Sequence, residues 1–137
     1  MPVTDINFNG RCYCGDFRFQ LTGEFRSVCF CHCRSCQIAS GAPYVAWGTL
    51  NKSNFQVTHG KLVECNVTTG VTRGFCGKCG SSITYYHVER PEEIDISIVT
   101  LEDAADLKPE YHLWVSDKLP WVEISDGLPQ YQGWRNQ

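Results

Sequence analysis

The sequence predicts a mainly β protein: a single compact domain of short antiparallel strands with few short helices. Three observations carry that expectation. The 137 residues suit one domain, and no composition break or internal repeat divides them. Apolar residues recur with period two over roughly eight to ten short runs, and no long stretch keeps a helical period. Seven of the nine cysteines fall in three tight clusters: Cys12-Tyr13-Cys14, Cys31-His32-Cys33-Arg34-Ser35-Cys36 and Cys76-Gly77-Lys78-Cys79. Such clusters staple distant segments together. The domain is expected to span residues 1–137, with its core at about 9–131.

The elements follow in order. After a polar start, Asn9-Gly10 leads into the first thiol pair. If that pair is extended, Cys12 and Cys14 share a face. Phe17, Phe19 and Leu21 alternate with polar residues and read as a half-buried strand, closed by Thr22-Gly23-Glu24. A strand from Ser27 to Cys31 delivers the central cluster. Cys33 and Cys36 are three apart and share one face of a short helix that runs on through Gln37-Ile38-Ala39. Gly41 stops it. Tyr44 to Leu50 reads as a strand. Phe55 to Thr58 and Lys61 to Val67 read as a hairpin about His59-Gly60. Thr72 to Phe75 leads to the third cluster, whose glycines favour a knuckle that turns backbone amides toward the sulfurs. Ser82 to Val88 and the alternating Ile94, Ile96, Ile98 are further strands. Thr100 with Asp103 resembles a capping box, which predicts a short helix over Leu101 to Leu107. Tyr111 to Val115 is a late strand. Pro120-Trp121-Val122-Glu123-Ile124 should pack back on the body, and Gly133 to Gln137 should fray.

Charge and composition exclude several functions. Twelve basic against fifteen acidic residues give a net charge of −3, with no basic run, which argues against a nucleic-acid partner. No apolar stretch reaches the ~20 residues of a membrane span. The start, Met1-Pro2-Val3-Thr4-Asp5, lacks an export pattern, so a cytoplasmic location is expected. Thiols stay reduced there, and clustered cysteines read as metal ligands or catalytic groups. The oligomeric state is not legible.

Seven clustered thiols divide as four plus three. Cys12, Cys14, Cys76 and Cys79 form a closed four-thiolate set suited to a structural zinc ion. Cys31, Cys33 and Cys36 supply three ligands and leave a fourth tetrahedral position open, as in catalytic zinc sites. The alternative is a second closed site completed by Cys29, His32, His59, Cys65, His87 or His112. Three thiolates on zinc acidify a bound water weakly and suit a soft fourth ligand, a substrate thiolate. Carbon–sulfur bond making or breaking is the chemistry such a centre favours. His32, between two ligands, is a candidate proton donor. Arg34, Arg73 and Lys78 are candidate carboxylate binders or plain surface, and Cys29 and Cys65 read as core.

Gly10-Arg11-Cys12-Tyr13-Cys14-Gly15, then Cys31 to Cys36 with Ser40-Gly41-Ala42, then Phe75-Cys76-Gly77-Lys78-Cys79-Gly80, together resemble the glutathione-dependent formaldehyde-activating enzyme family. A similar domain occurs in centromere protein V. The stretch Pro109 to Trp114, with Pro120-Trp121 and Asp126-Gly127-Leu128-Pro129, resembles the family's tail. The resemblance implies a tent-like, all-β fold with two zinc ions. One is structural, on Cys12, Cys14, Cys76 and Cys79. The other is exchangeable, on Cys31, Cys33 and Cys36. It also implies a carbon–sulfur lyase-type activity that joins a small thiol, glutathione, to formaldehyde. Two rival expectations remain from the residues alone: a zinc module that binds a protein partner, and a redox sensor built on the three central thiols.

Overall fold

The computed structural model describes residues 5–135. The reading of Met1 to Thr4 as lacking an export signal concerns residues outside that range, as do the last two of the expected frayed tail. Ten strands make up most of the fold, joined by one seven-residue helix and short 3-10 turns. β1 (Ile6–Arg11), β2 (Arg18–Gly23) and β5 (Phe55–His59) form a three-stranded sheet in the order β1-β2-β5. The larger sheet runs β10-β3-β4-β9-β8-β7-β6, from β10 (Tyr111–Leu113), β3 (Ser27–Cys31) and β4 (Val45–Asn51) through β9 (Glu93–Ser97) and β8 (Ser82–His87) to β7 (Val71–Phe75) and β6 (Val63–Cys65). All these pairings are antiparallel except β10 with β3, which is parallel.

The period-two pattern decides what each face of the large sheet does. Val28, Leu50, Ile83 and Ile96 point to one face and pack with Phe17, Phe19, Leu21 and Phe25 in the main core. Cys29, Cys31, Val45, Trp47, Tyr111 and Leu113 point to the other and form a second, thinner cluster with Cys36. The first face meets the small sheet. The second lies under the helix, α1 (Arg34–Ser40), and floors a cavity. α1 ends where expected: Gly41 takes the left-handed conformation at φ 66°, and its N–H bonds the Gln37 carbonyl.

Four expectations need correction. Phe55–His59 and Val63–Cys65 are not a hairpin; they belong to different sheets, because β5 pairs with β2 and β6 pairs with β7. His59 is held at Asp16, its Nδ1 lying 2.9 Å from the Asp16 carbonyl, and this anchors the crossing between sheets. The helix over Leu101 to Leu107 does not form. Thr100 Oγ1 donates to the Ser97 carbonyl at 2.7 Å instead of capping, and only 3-10 turns at Ile98–Thr100 and Ala104–Asp106 appear. The polar start contains a strand, β1, whose Ile6 is buried. Finally, Trp121 is exposed while its neighbour Val122 is buried, and the last described residues pack: Trp134 lies edge-on to Trp114 with ring centroids 5.6 Å apart.

Candidate metal centres and their cavity

The first thiol pair sits on a tight turn, not an extended segment: the Gly15 N–H bonds the Cys12 carbonyl at 3.2 Å. The third cluster makes a matching knuckle. Gly80 adopts φ 81° and its N–H reaches the Cys76 carbonyl at 2.8 Å. The two turns bring Cys12, Cys14, Cys76 and Cys79 together, with all four sulfurs within 4.8 Å of one another. Sγ–Sγ separations of 3.6 Å (Cys12–Cys14) and 3.8 Å (Cys14–Cys76) lie close to the ~3.8 Å edge of a tetrahedron with ~2.3 Å zinc–sulfur bonds. The donor set therefore fits a closed site. The hydrogen bonds around it lower two of the thiols, while Cys14, against the pull of the Asp16 backbone, is pushed up to about 12 by burial and by its three neighbouring sulfurs. Burial pushes the Cys12 thiol up, but the Phe17 N–H, 3.2 Å from its sulfur, together with Cys14 and Cys76, holds it below the ordinary value. The Ser81 hydroxyl and amide lower Cys79 to about 5.

The second group, Cys31, Cys33 and Cys36, also has its sulfurs within 4.8 Å of one another. Cys31 comes from the end of β3. Cys33 caps α1, accepting from the Cys36 N–H at 3.4 Å, and Cys36 lies in its first turn. Gln37, buried, braces this loop. Its Nε2 donates to the His32 carbonyl at 2.7 Å and the Asp117 carbonyl at 3.0 Å, while the Arg34 N–H donates to Asp117 Oδ2. Nothing in the sequence marks Gln37, since its partners lie 80 positions apart or in its own loop. Among the described residues no histidine, carboxylate or further cysteine joins these three sulfurs. The alternative fourth ligands, Cys29, His32, His59, Cys65, His87 and His112, all stand outside the group.

The three sulfurs open into a cavity of about 600 Å³. Trp47, Tyr85 and Tyr111 give it apolar walls, and Arg34 and Arg73 flank the thiols. Its lining also holds an ion pair between half-exposed Arg90 and buried Asp95 at 2.9 Å, where Asp95 also accepts from Thr49 Oγ1. Burial raises the Asp95 carboxyl against the pull of Arg90. Within the trio, Cys31 and Cys33 donate to Cys36 and drop it to about 2 against its burial, with Trp47 and Arg73 adding to the fall. Cys31 is pushed far up by the same hydrogen bonds and by burial.

His32 is placed elsewhere. Alternation turns it away from Cys31 to the opposite face, where it is completely buried and does not line the cavity. Its Nε2 lies 2.8 Å from His112 Nδ1, His112 Nε2 reaches Asp126 at 2.7 Å, and its ring packs on Tyr44 with centroids 4.8 Å apart. Burial, then His112 and Lys118, lower His32 to about 4, so it is neutral at pH 7. Of the basic candidates, Arg34 and Arg73 face the cavity. Lys78 lies beside the four-thiol turn and pairs with Asp16 at 3.4 Å on the surface.

A model of the glutathione-dependent formaldehyde-activating enzyme family matches residues 7–117. The chain belongs to that family. A crystal structure of a Rhodobacter sphaeroides protein shares the fold, with a TM-score of 0.58 at 19% identity over 90% of this chain and 98% of that one. No curated protein sequence matches. The family match covers both thiol groups and β3, α1, β4, β7, β8, β9 and β10, which carry most of the cavity lining. No helix among the described residues is long and apolar enough to cross a membrane.

Proposed function

We propose that this member of the family is a zinc-dependent, carbon–sulfur lyase-like enzyme that makes and breaks the bond between a small thiol, such as glutathione, and a small aldehyde, such as formaldehyde. The observation that supports it most is the trio of sulfurs with no fourth protein ligand among the described residues, set at the end of a cavity large enough for a peptide thiol. Cys12, Cys14, Cys76 and Cys79 would hold the structural ion, and Cys31, Cys33 and Cys36 the exchangeable one. When bound at the trio, zinc supplies a soft Lewis acid that keeps a substrate sulfur deprotonated near neutral pH. Trp47 and Tyr85 exclude water from the reacting sulfur and orient its carrier. In the forward direction the thiolate sulfur bonds the carbonyl carbon, the carbonyl π pair moves to oxygen, and a proton reaches that oxygen from solvent in the cavity. Solvent, not His32, supplies that proton in this reading, since His32 lies on the other face of its strand and outside the cavity lining. His32 instead helps fix the loop that carries the trio. A reducing, cytosolic setting belongs to the proposal, because the chemistry requires free thiols.

The test is the exchange rate between free glutathione, formaldehyde and their adduct, followed by magnetisation-transfer NMR. Wild type should accelerate it, and Cys36→Ser should not while keeping its melting temperature within about 10 °C. Fully metallated wild type that leaves the rate unchanged with glutathione and with simpler thiols would support the alternative of a partner-binding zinc module.

A further inference from the structure

Arg73 stands in an unusual position for a surface-strand arginine. The register of β7 against β8 sets it opposite Tyr85, and its guanidinium lies over the Tyr85 ring, 4.9 Å from the centroid. That stacking fixes the plane and points Nη2 at the sulfur of Cys36, 3.8 Å away. The ion pairs among the described residues are Arg26–Glu93, Lys78–Asp16, Arg90–Glu93, Arg90–Asp95 and His112–Asp126, and Arg73 belongs to none of them. Its permanent charge is therefore directed at the thiol trio.

We infer that Arg73 is the residue that makes the three-sulfur centre select an anionic fourth ligand. The inference rests on the reading of the trio as an open zinc site. Three thiolates around a divalent ion leave a net charge of about −1, and a fourth thiolate takes it to about −2. In a cavity walled by Trp47 and Tyr85 that accumulation is costly, and a neutral ligand would be preferred. The guanidinium beside Cys36 offsets one of those charges, and it does not lose its proton at any working pH. Its hydrogen bond also withdraws electron density from the Cys36 sulfur, which leaves the ion a better acceptor for the incoming sulfur. The thiol's proton departs to the buffer. Arg73 acts through the centre and not on the reacting carbon, so it is a positioning and specificity residue.

The experiment uses full-length protein with its four-thiolate site left intact and cobalt in place of the exchangeable ion. Wild type, R73Q, R73M and R73K are titrated at one pH with three probes: 2-mercaptoethanol, 3-mercaptopropionate and imidazole. The cobalt ligand-field and sulfur-to-cobalt bands report binding. Both neutral variants should bind 2-mercaptoethanol about 10- to 100-fold more weakly. R73K should recover much of the loss, and imidazole affinity should change little in any variant. Equal weakening of all three probes would mean that Arg73 only props the site, and overturns the inference. Weakening confined to 3-mercaptopropionate would make Arg73 a clamp for the ligand's carboxylate, which also overturns it, as does unchanged thiol binding. In these outcomes wild type still binds cobalt and thiol, so the proposed function stands. Wild type that takes up no cobalt at the trio, or ignores every thiol, removes both.

Discussion

Cys76→Ser should lower the melting temperature by roughly 15 °C or more, and the size follows from the fold. The four-thiol site ties Cys14 to Cys76, which are 62 positions apart. Closing a loop of that length removes about 4 kcal/mol of chain entropy from the unfolded state by the relation used for cross-links. A domain of 137 residues has an unfolding entropy of about 0.29 kcal/mol/K at its midpoint. Loss of the tie alone therefore shifts the midpoint by about 15 °C. The true loss is larger, since structural zinc contributes ~10 kcal/mol or more in small domains. Total stability is only about 5–15 kcal/mol, so the variant is expected to be largely unfolded at 37 °C. Calorimetry of zinc-saturated wild type and variant measures this directly. Cys36→Ser is the control: its site spans only Cys31–Cys36, a short loop for which the same relation gives about 2 kcal/mol, or about 7 °C. A Cys76→Ser midpoint within about 5 °C of wild type, or equal shifts for both variants, would refute the division into a staple and an open site.

Two further outcomes are expected. Gln37→Ala leaves the buried His32 carbonyl, and the part-buried Asp117 carbonyl, without their donor and should cost about 1–3 kcal/mol, while a chelator should strip the exchangeable ion faster than from wild type; calorimetry and timed metal release check both. His32 has a folded value of about 4, below its ordinary 6.5, so the unfolded chain takes up the proton first as pH falls. Native stability should therefore drop between pH 6.5 and about 4, by up to about 3 kcal/mol, and urea midpoints for His32→Asn should show a shallower fall over that window.

Much of the site was legible because ligand spacing is local. Cys31, Cys33 and Cys36 lie within one strand end and one helical turn, and Cys76 and Cys79 within one knuckle, so their convergence needs no knowledge of distant pairing. Only the joining of the first pair to the third cluster is long-range, and there the count of thiols decided it. What failed were features set by other segments. Gly60 looked like a hairpin turn, yet β5 found its partner in β2 and β6 in β7, a choice no local signal records. Thr100 and Asp103 had the spacing of a cap, but Thr100 bonded backward to Ser97 and the segment stayed in 3-10 turns. His32 neighbours two ligands in sequence, which suggests a place beside the metal; strand alternation puts it on the opposite face. The cavity residues Trp47, Tyr85, Arg73 and Asp95 sit on four different strands, and only the strand order β4-β9-β8-β7 brings them to one wall.

Metal content per chain, measured by mass spectrometry on freshly purified, reduced protein before and after a mild chelator, tests the two-site account most directly. Two zinc ions per chain are expected at the start. One should leave under the chelator with the far-UV spectrum and the melting transition retained, and the same treatment of Cys36→Ser should find one ion throughout. At most one ion in fresh wild type, or loss of the fold together with the first ion released, would contradict it.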